Sequence, residues 1–559
     1  MPYTRRAFLR HTLLSGGALA TAACTMDQRP NKAAHPGPDG IASSTTATDA
    51  LRRGGTFAWL QRASYGVRSQ DLERLESIGL AAYLDEQLTP AGADPDLDAR
   101  LAALLLPIQY EAEGRYPATD ERRPLAYLGA PLSTLWPLSR EDEAIPWSER
   151  IRPLEEVRAA TMLRAVYSRW QLRELLVEHW HNHFSVNAEN DDLRITITMP
   201  IYDREVIRTH ALGNFRQLLE AVATSTAMLS YLDNASSKAS PANENYAREL
   251  LELHTLGAAH YFNDRYQRWG DVPGAAAGAP AGYIDADVYE AARAFTGWSV
   301  ADGRDLGEDD TLPDTGEFVY IAAWHDPYQK RVLATELAPN QPALADGRAV
   351  LDMLARHPAT ALHVCTRLCR RLIADDPPPE LVARAAAVFR AQIDAPDQIA
   401  QTVRAILSAP EALAPSSKVR RPYEVLVAFL RATAAEVQPD ENLHWLLFER
   451  GYRMFSWPAP NGHPDVADPW LSTNVMIGRW NMLVALTDNW WGTTTLDLTS
   501  QTPAEHTTAA ALVAYWSQRL LGTTLAPDAA SAIASAYDET SDLDALVCCI
   551  AMAPEFHQR

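Results

Sequence analysis

RWQLRELLVEHWHNHF fills residues 169–184, and its apolar side chains Trp170, Val177, Trp180 and Phe184 return at helical spacing. The period extends back through Val166 to about Leu154, so the region reads as a run of core helix. Its last seven residues, EHWHNHF, hold three of the chain's 15 histidines together with Glu178. On a helix, residues three and four apart share a face. That splits the group. Glu178 and His181 continue a polar stripe begun at Glu174, whereas His179 and His183 share a different side.

Further along, NENYARELLELHTLG predicts a helix from about Asn243 to Leu256, stopped by Gly257. DADVYEAARAFTGW predicts another, capped by Asp285 or Asp287 and ended at Gly297. From Leu51 the text gives two or three short helices broken at Gly66 and Gly79, and residues 340–435 and 470–559 are again helical. Residues 115–155 read as an irregular crossing, 267–284 as a Gly/Ala/Pro loop, and 453–470 as a structured loop too rich in Pro and Gly for either element. FVYIAAWHD is β-like, and with Trp298–Val300 and Arg331–Leu333 it predicts a two- or three-stranded sheet. The expected fold is mainly α, a multi-helix globular body over 51–559 with a small β insert around 298–335 and a candidate subdivision near 335–340.

The chain has 559 residues, 47% hydrophobic and 22% charged, with 71 Asp+Glu against 50 Lys+Arg. The acidic balance argues against nucleic acid or an anionic membrane as the main partner. No run approaches the roughly 18–20 apolar residues of a membrane-spanning helix. The N-terminus is a targeting segment: TRRAFLR precedes HTLLSGGALATAAC, and Arg5, Arg6, Phe8 and Leu9 resemble the twin-arginine export signal. Residues 1–23 are therefore expected to be a signal peptide and 24–50 a flexible linker. The destination is the periplasm or cell surface, with two endings open: a lipid anchor at Cys24 or cleavage after Ala22. Cys365 and Cys369, four apart on a helical pattern, are expected to be buried small side chains rather than a disulfide.

A set of motifs in this order resembles the family catalogued as domain of unknown function 1800: LQRASYGVRSQDLERLESIGLAAYLDEQL, EHWHNHFSV, NENYARELLELHTLG, DVYEAARAFTGW, HDPYQK, KVRRPYEVLVAFLRA and the closing PEFHQR. The resemblance runs from about residue 56 to the C-terminus. It implies an exported bacterial protein, often encoded beside a sulfatase-like exported one, and carries over no catalytic residues. The long 267–284 loop and the GHPDVADPW segment depart from many members.

The chemistry expected from the residues is a Glu/His site in the helical core. A Glu followed three places on by His is what di-metal helical bundles take from one helix, though such bundles use two such pairs and this chain offers one. The candidate metal ligands are Glu178, His181, Glu249, Glu252, Glu290 and His325, a carboxylate–imidazole mixture suited to Fe, Mn or Zn. The candidate catalytic residues are His181, Glu249 and, as second choice, His183. This predicts a metal-assisted hydrolase or oxidoreductase, with a metal-free pair such as His181 and Glu249 as a variant. The competing expectation is a non-catalytic binding or assembly partner of a sulfatase-like protein, a carbohydrate or another surface polymer. In that case Arg248–Glu252 and Glu290–Arg293 would be structural ion pairs, and Trp457, Trp470, Trp490 and Trp491 the ligand surface.

Overall fold

The computed structural model describes residues 55–265, 268–307, 310–414, 418–490 and 492–559. The expected signal peptide, the linker, Cys24 and Trp491 lie outside them. The fold is mainly helical with short two-stranded sheets, as the sequence predicts. No described helix is long and apolar enough to cross a membrane.

The elements that matter for the site are a hairpin of β1 (Leu105–Tyr110) and β2 (Thr119–Pro124), then the helices α1 (Trp147–Tyr167), α2 (Gln171–His183) and α3 (Leu193–Ile201). After these come α4 (Glu244–Glu249), α5 (Asp285–Ala294), α6 (Pro358–Leu372), α7 (Pro422–Ala432) and α8 (Glu441–Phe448). The period read from Leu154 to Phe184 is two helices, not one. Ser168 Oγ accepts the Trp170 N–H, and the Gln171 side chain donates to the carbonyls of Ala165 and Ser168. Those bonds satisfy backbone groups that a helix end leaves bare.

Both α3 and α4 pass into π-helical turns, Tyr202–Arg208 and Leu250–His254. Such turns are infrequent and gather at functional sites. The wider winding aligns Asp203 with Arg208, five residues on.

The buried apolar side chains form two large clusters, and α2 lies between them. Leu172, Leu176, Trp180 and Phe184 belong to one and Leu175 to the other. Eleven of the thirteen α2 residues are buried, including Glu174, Glu178, His179, His181 and His183. Buried polar groups must find partners or carry a desolvation penalty, so the chemistry of this helix depends on which groups meet each of them.

The β insert differs in pairing from the expectation. Trp298–Asp302 runs antiparallel to Asp314–Tyr320, with Trp298 opposite Tyr320. Lys330–Val332 pairs instead with Thr335–Leu337, because the left-handed Leu333 and Ala334 turn the chain back on itself. The β1–β2 hairpin is unexpected: β1 precedes the 115–155 stretch that reads as an irregular crossing, and β2 lies within it. Cys365 and Cys369 are free and buried.

Candidate active site around His181

The Glu174–Glu178–His181 face of α2 meets α1, the π turn after α3, α7 and the 452–463 segment around a small cavity of about 30 Å³, room for one or two waters. His181 Nε2 lies 3.0 Å from Asp203 Oδ1. The other oxygen of Asp203 accepts from Arg208 Nε at 2.8 Å and Arg164 Nη1 at 3.3 Å. Arg208 in turn forks onto both oxygens of Glu174, at 3.1 and 2.9 Å. A chain Glu174–Arg208–Asp203–His181 therefore leads from the core to the cavity wall. Burial alone would raise the Asp203 carboxyl, but Arg208, His181 and Arg164 together hold it well below the usual carboxylate range. Asp203 is thus a fixed anion behind the imidazole.

With Nε2 committed to Asp203, the ring's other nitrogen has no protein partner among the described residues. Ser185, Thr161, Tyr65, Tyr423 and Tyr452 are hydroxyl-bearing residues lining the same cavity, and the buried Thr161 hydroxyl is also unpartnered among the described residues. Unpaired polar atoms beside a water-sized space are the usual mark of an ordered water. Met454, Phe455 and Trp457 add apolar lining. Phe455 lies against His181, ring centroids 4.7 Å apart, and holds φ at 59°. That is the left-handed region, which costs a bulky residue of order 1–3 kcal/mol and is found mostly where function demands it.

Glu178 shares the cavity but is otherwise engaged. Oε1 accepts from Asn182 and from Tyr452 Oη at 3.0 Å, and Oε2 takes Arg421 at 2.8 Å and Arg371 at 3.1 Å. Burial works to raise this carboxyl, yet Arg421 and Arg371 leave it below its ordinary value. Both arginines also hold Glu424, at 2.7 Å from Arg371 and 3.2 Å from Arg421. The KVRRPYE motif is the source of Arg421 and Glu424, so its charges close a buried ion network behind α2. His463 completes this end. Its ring stacks on Tyr452 at 4.1 Å and its Nδ1 lies 3.1 Å from Asn182 Oδ1.

His179 and His183 face away, as helical geometry requires. Their rings stack at 6.1 Å, and His183 also lies 6.3 Å from His254 and 6.0 Å from His363. His183 Nε2 meets the His254 carbonyl at 2.9 Å. Desolvation, with Arg367 adding to it, pushes His179 and His183 well down and His254 to about 3. These are neutral core imidazoles.

The remaining expected ligands are not brought to His181. Glu249 is half-buried beside Glu252, and burial together with that neighbouring charge raises its carboxyl. Arg248 bonds Glu244 at 3.1 Å and Asp285 at 3.5 Å, not Glu252 as expected. Glu290 pairs with Arg293 at 2.8 Å, as expected, and Arg293 also holds Asp326. His325 sits between Thr296 and Asp346, where Lys330 is 2.7 Å from the same carboxylate. Among the described residues no three His, Cys, Asp or Glu side chains gather into a group able to hold a metal ion. Of the expected tryptophans, Trp470 is buried, Trp490 is exposed and Trp457 lines the cavity.

Sequence reasoning missed Asp203, Arg208, Tyr452 and His463. YDREVIR carries no motif, and its i,i+5 pairing is invisible to a search at α-helical spacing. Compared with known proteins, the chain matches the model of the family described as protein of unknown function (DUF1800) over residues 58–558. No curated protein and no solved structure matches it.

Proposed function

From its membership of the DUF1800 family, which the chain belongs to over nearly its whole length, we propose an exported enzyme that performs metal-free acid–base chemistry at His181. The observation that carries this is the Asp203–His181 pair on the wall of a water-sized cavity, the ring's second nitrogen having no protein partner among the described residues. Asp203 orients the ring and stabilises the imidazolium that forms when His181 takes a proton from water. The activated water then attacks an electrophilic carbon, and His181 returns the proton to the leaving group, which makes the reaction a hydrolysis. Substrate enters by displacement of the Met454–Phe455–Trp457 wall, where the backbone already holds strain. A metal-assisted version would require Glu178 to release Arg371 and Arg421, and the acid–base version requires no such rearrangement. Arg5 and Arg6 direct export, and replacing both with Lys should leave the protein in the cytoplasmic fraction.

The test is a panel of p-nitrophenyl esters and glycosides, assayed with wild type and His181→Gln. Turnover of at least one substrate, reduced roughly 100-fold or more in the folded variant, is expected from the usual worth of a positioned acid–base group. Equal turnover in the variant, or none in wild type, counts against the proposal. One observation favours the second reading, a non-catalytic partner of a sulfatase-like protein or surface polymer: the polar stripes of α2 and α5 are largely matched by arginine. Co-purification with the neighbouring gene product, unchanged in His181→Gln, would support it.

A further inference from the structure

A second concavity, an open cleft of about 690 Å³, lies directly outside the wall of the His181 cavity. It runs between β1, the outer face of α1 and α8, and Met454 lines both spaces. Arg158 fixes that shared residue by donating to the Met454 carbonyl at 3.2 and 3.1 Å. Met454 is thus the residue that joins the cleft to the His181 cavity.

The cleft's lining points to its occupant. Trp147 is 62% exposed and Trp445 53%, the two most exposed tryptophans among the described residues, and both line it. Indole rings left in water at the edges of a groove cost free energy unless something flat and apolar covers them. The polar lining carries four carboxylates, Glu155, Glu189, Asp440 and Glu441, beside uncharged groups such as Gln109, Ser148 and Asn190. The one arginine among the described lining residues, Arg158, is engaged by Met454, Ser456 and Glu189, so the lining offers a polyanion little to bind. A peptide adding to the edge of β1 is also disfavoured. Pro107 has no N–H to offer, and Arg152 occupies the carbonyls of Leu106 and Pro107. Exposed indoles and carboxylates lining one cleft suit a chain of sugar rings, whose C–H faces cover indoles and whose hydroxyls donate to acceptors. Burial pushes the Glu155 carboxyl up to about 7, so at neutral pH it can also donate to a ring or hydroxyl oxygen.

The geometry points to this cleft as the binding site for a neutral glycan chain, held by stacking on Trp147 and Trp445. The inference names the substrate class for the His181 reaction, and it rests on that reading for turnover but not for binding. The probes are cellohexaose, xylohexaose and chitohexaose, with heparin and an amphipathic peptide for comparison, titrated by calorimetry against the full chain and against His181→Gln. At least one neutral hexasaccharide should bind, and Trp147→Ala and Trp445→Ala should each weaken it about tenfold or more. His181→Gln should bind it as wild type does, so loss of turnover there and loss of binding in the tryptophan variants report on separate claims. Both indoles are exposed, so these variants should fold. No binding of any neutral hexasaccharide at millimolar concentration, binding indifferent to both tryptophans, or preference for heparin or the peptide would overturn the assignment.

Discussion

Acidification from pH 7.5 to 5.5 should weaken the fold before the carboxylates of its buried ion network titrate. His254, His463 and His557 are buried, and desolvation, with nearby arginines adding to it, pushes each imidazole down to about 3. In the unfolded chain each returns to about 6.5. Between those values the unfolded state binds a proton that the folded state refuses, so stability falls as pH falls. One pH unit below 6.5 each such group costs roughly 1.4 kcal/mol, and the three together roughly 4 kcal/mol. The lowered His179, His183, His363 and His444 add to this. The raised Glu155 and Asp287 carboxyls, which gain protons in the folded state over the same window, offset part of it. The carboxylates occupy another window. The buried Glu178, Asp203 and Glu424 and the half-buried Asp465 are held below their ordinary values by arginine or lysine. Their contribution is therefore complete above about pH 4 and lost only as pH falls further, through the folded-state values. Urea unfolding followed by tryptophan fluorescence at pH 7.5, 6.5, 5.5 and 4.5 separates the two. At a slope of about 3 kcal/mol/M the midpoint should drop by roughly 1 M between pH 7.5 and 5.5. An unchanged midpoint over that interval, with all loss below pH 4, would refute the reasoning. His254 offers a check from within, because neither of its ring nitrogens has a partner among the described residues. His254→Leu should remove about 1.4 kcal/mol of the loss between pH 7.5 and 5.5 and raise stability at pH 7.5 by about 1 kcal/mol, since it removes buried unpaired groups.

Glu178→Ala should cost about 3–5 kcal/mol in the same urea assay, because it strips one partner from a buried ion network. Glu249→Ala should stay within about 1 kcal/mol of wild type or gain stability, since its raised carboxyl meets burial and Glu252 rather than a donor. Asp203→Asn should lose about 3–5 kcal/mol by leaving Arg164 and part of Arg208 uncompensated, and any p-nitrophenyl turnover should fall with it. Gly257→Ala should destabilise by about 1–3 kcal/mol, because the glycine holds φ at +88° and a Cβ there would lie 2.6 Å from His363 Nδ1.

The helical class was legible because α2 and its neighbours repeat apolar residues at a local period. The separation of Glu178 and His181 from His179 and His183 was legible for the same reason: it depends on spacing within one helix. The break at Ser168 was not, since the apolar period carries across it unchanged and only the bonds of Ser168 and Gln171 mark it. The partner of His181 was hidden more deeply. Asp203 comes from a π turn 22 residues on, in a segment whose charges look like an ordinary solvated face. Glu249 stands out in the sequence as part of a polar stripe on an apolar helix, yet nothing local reveals that its turn leads away from the cavity. Tyr452 and His463 lie in a Pro/Gly loop without a period, and only tertiary packing brings them to Glu178.

The central claim is that His181 presents a bare, proton-accepting nitrogen to the cavity while Asp203 holds the other. Long-range ¹H–¹⁵N correlation on histidine-labelled protein reads this directly, with the His181 signals assigned by their loss in His181→Gln. The neutral ring should carry its proton on Nε2, toward Asp203, and leave Nδ1 unprotonated. A ring protonated on Nδ1, with Nε2 bare against the Asp203 carboxylate, would contradict the account.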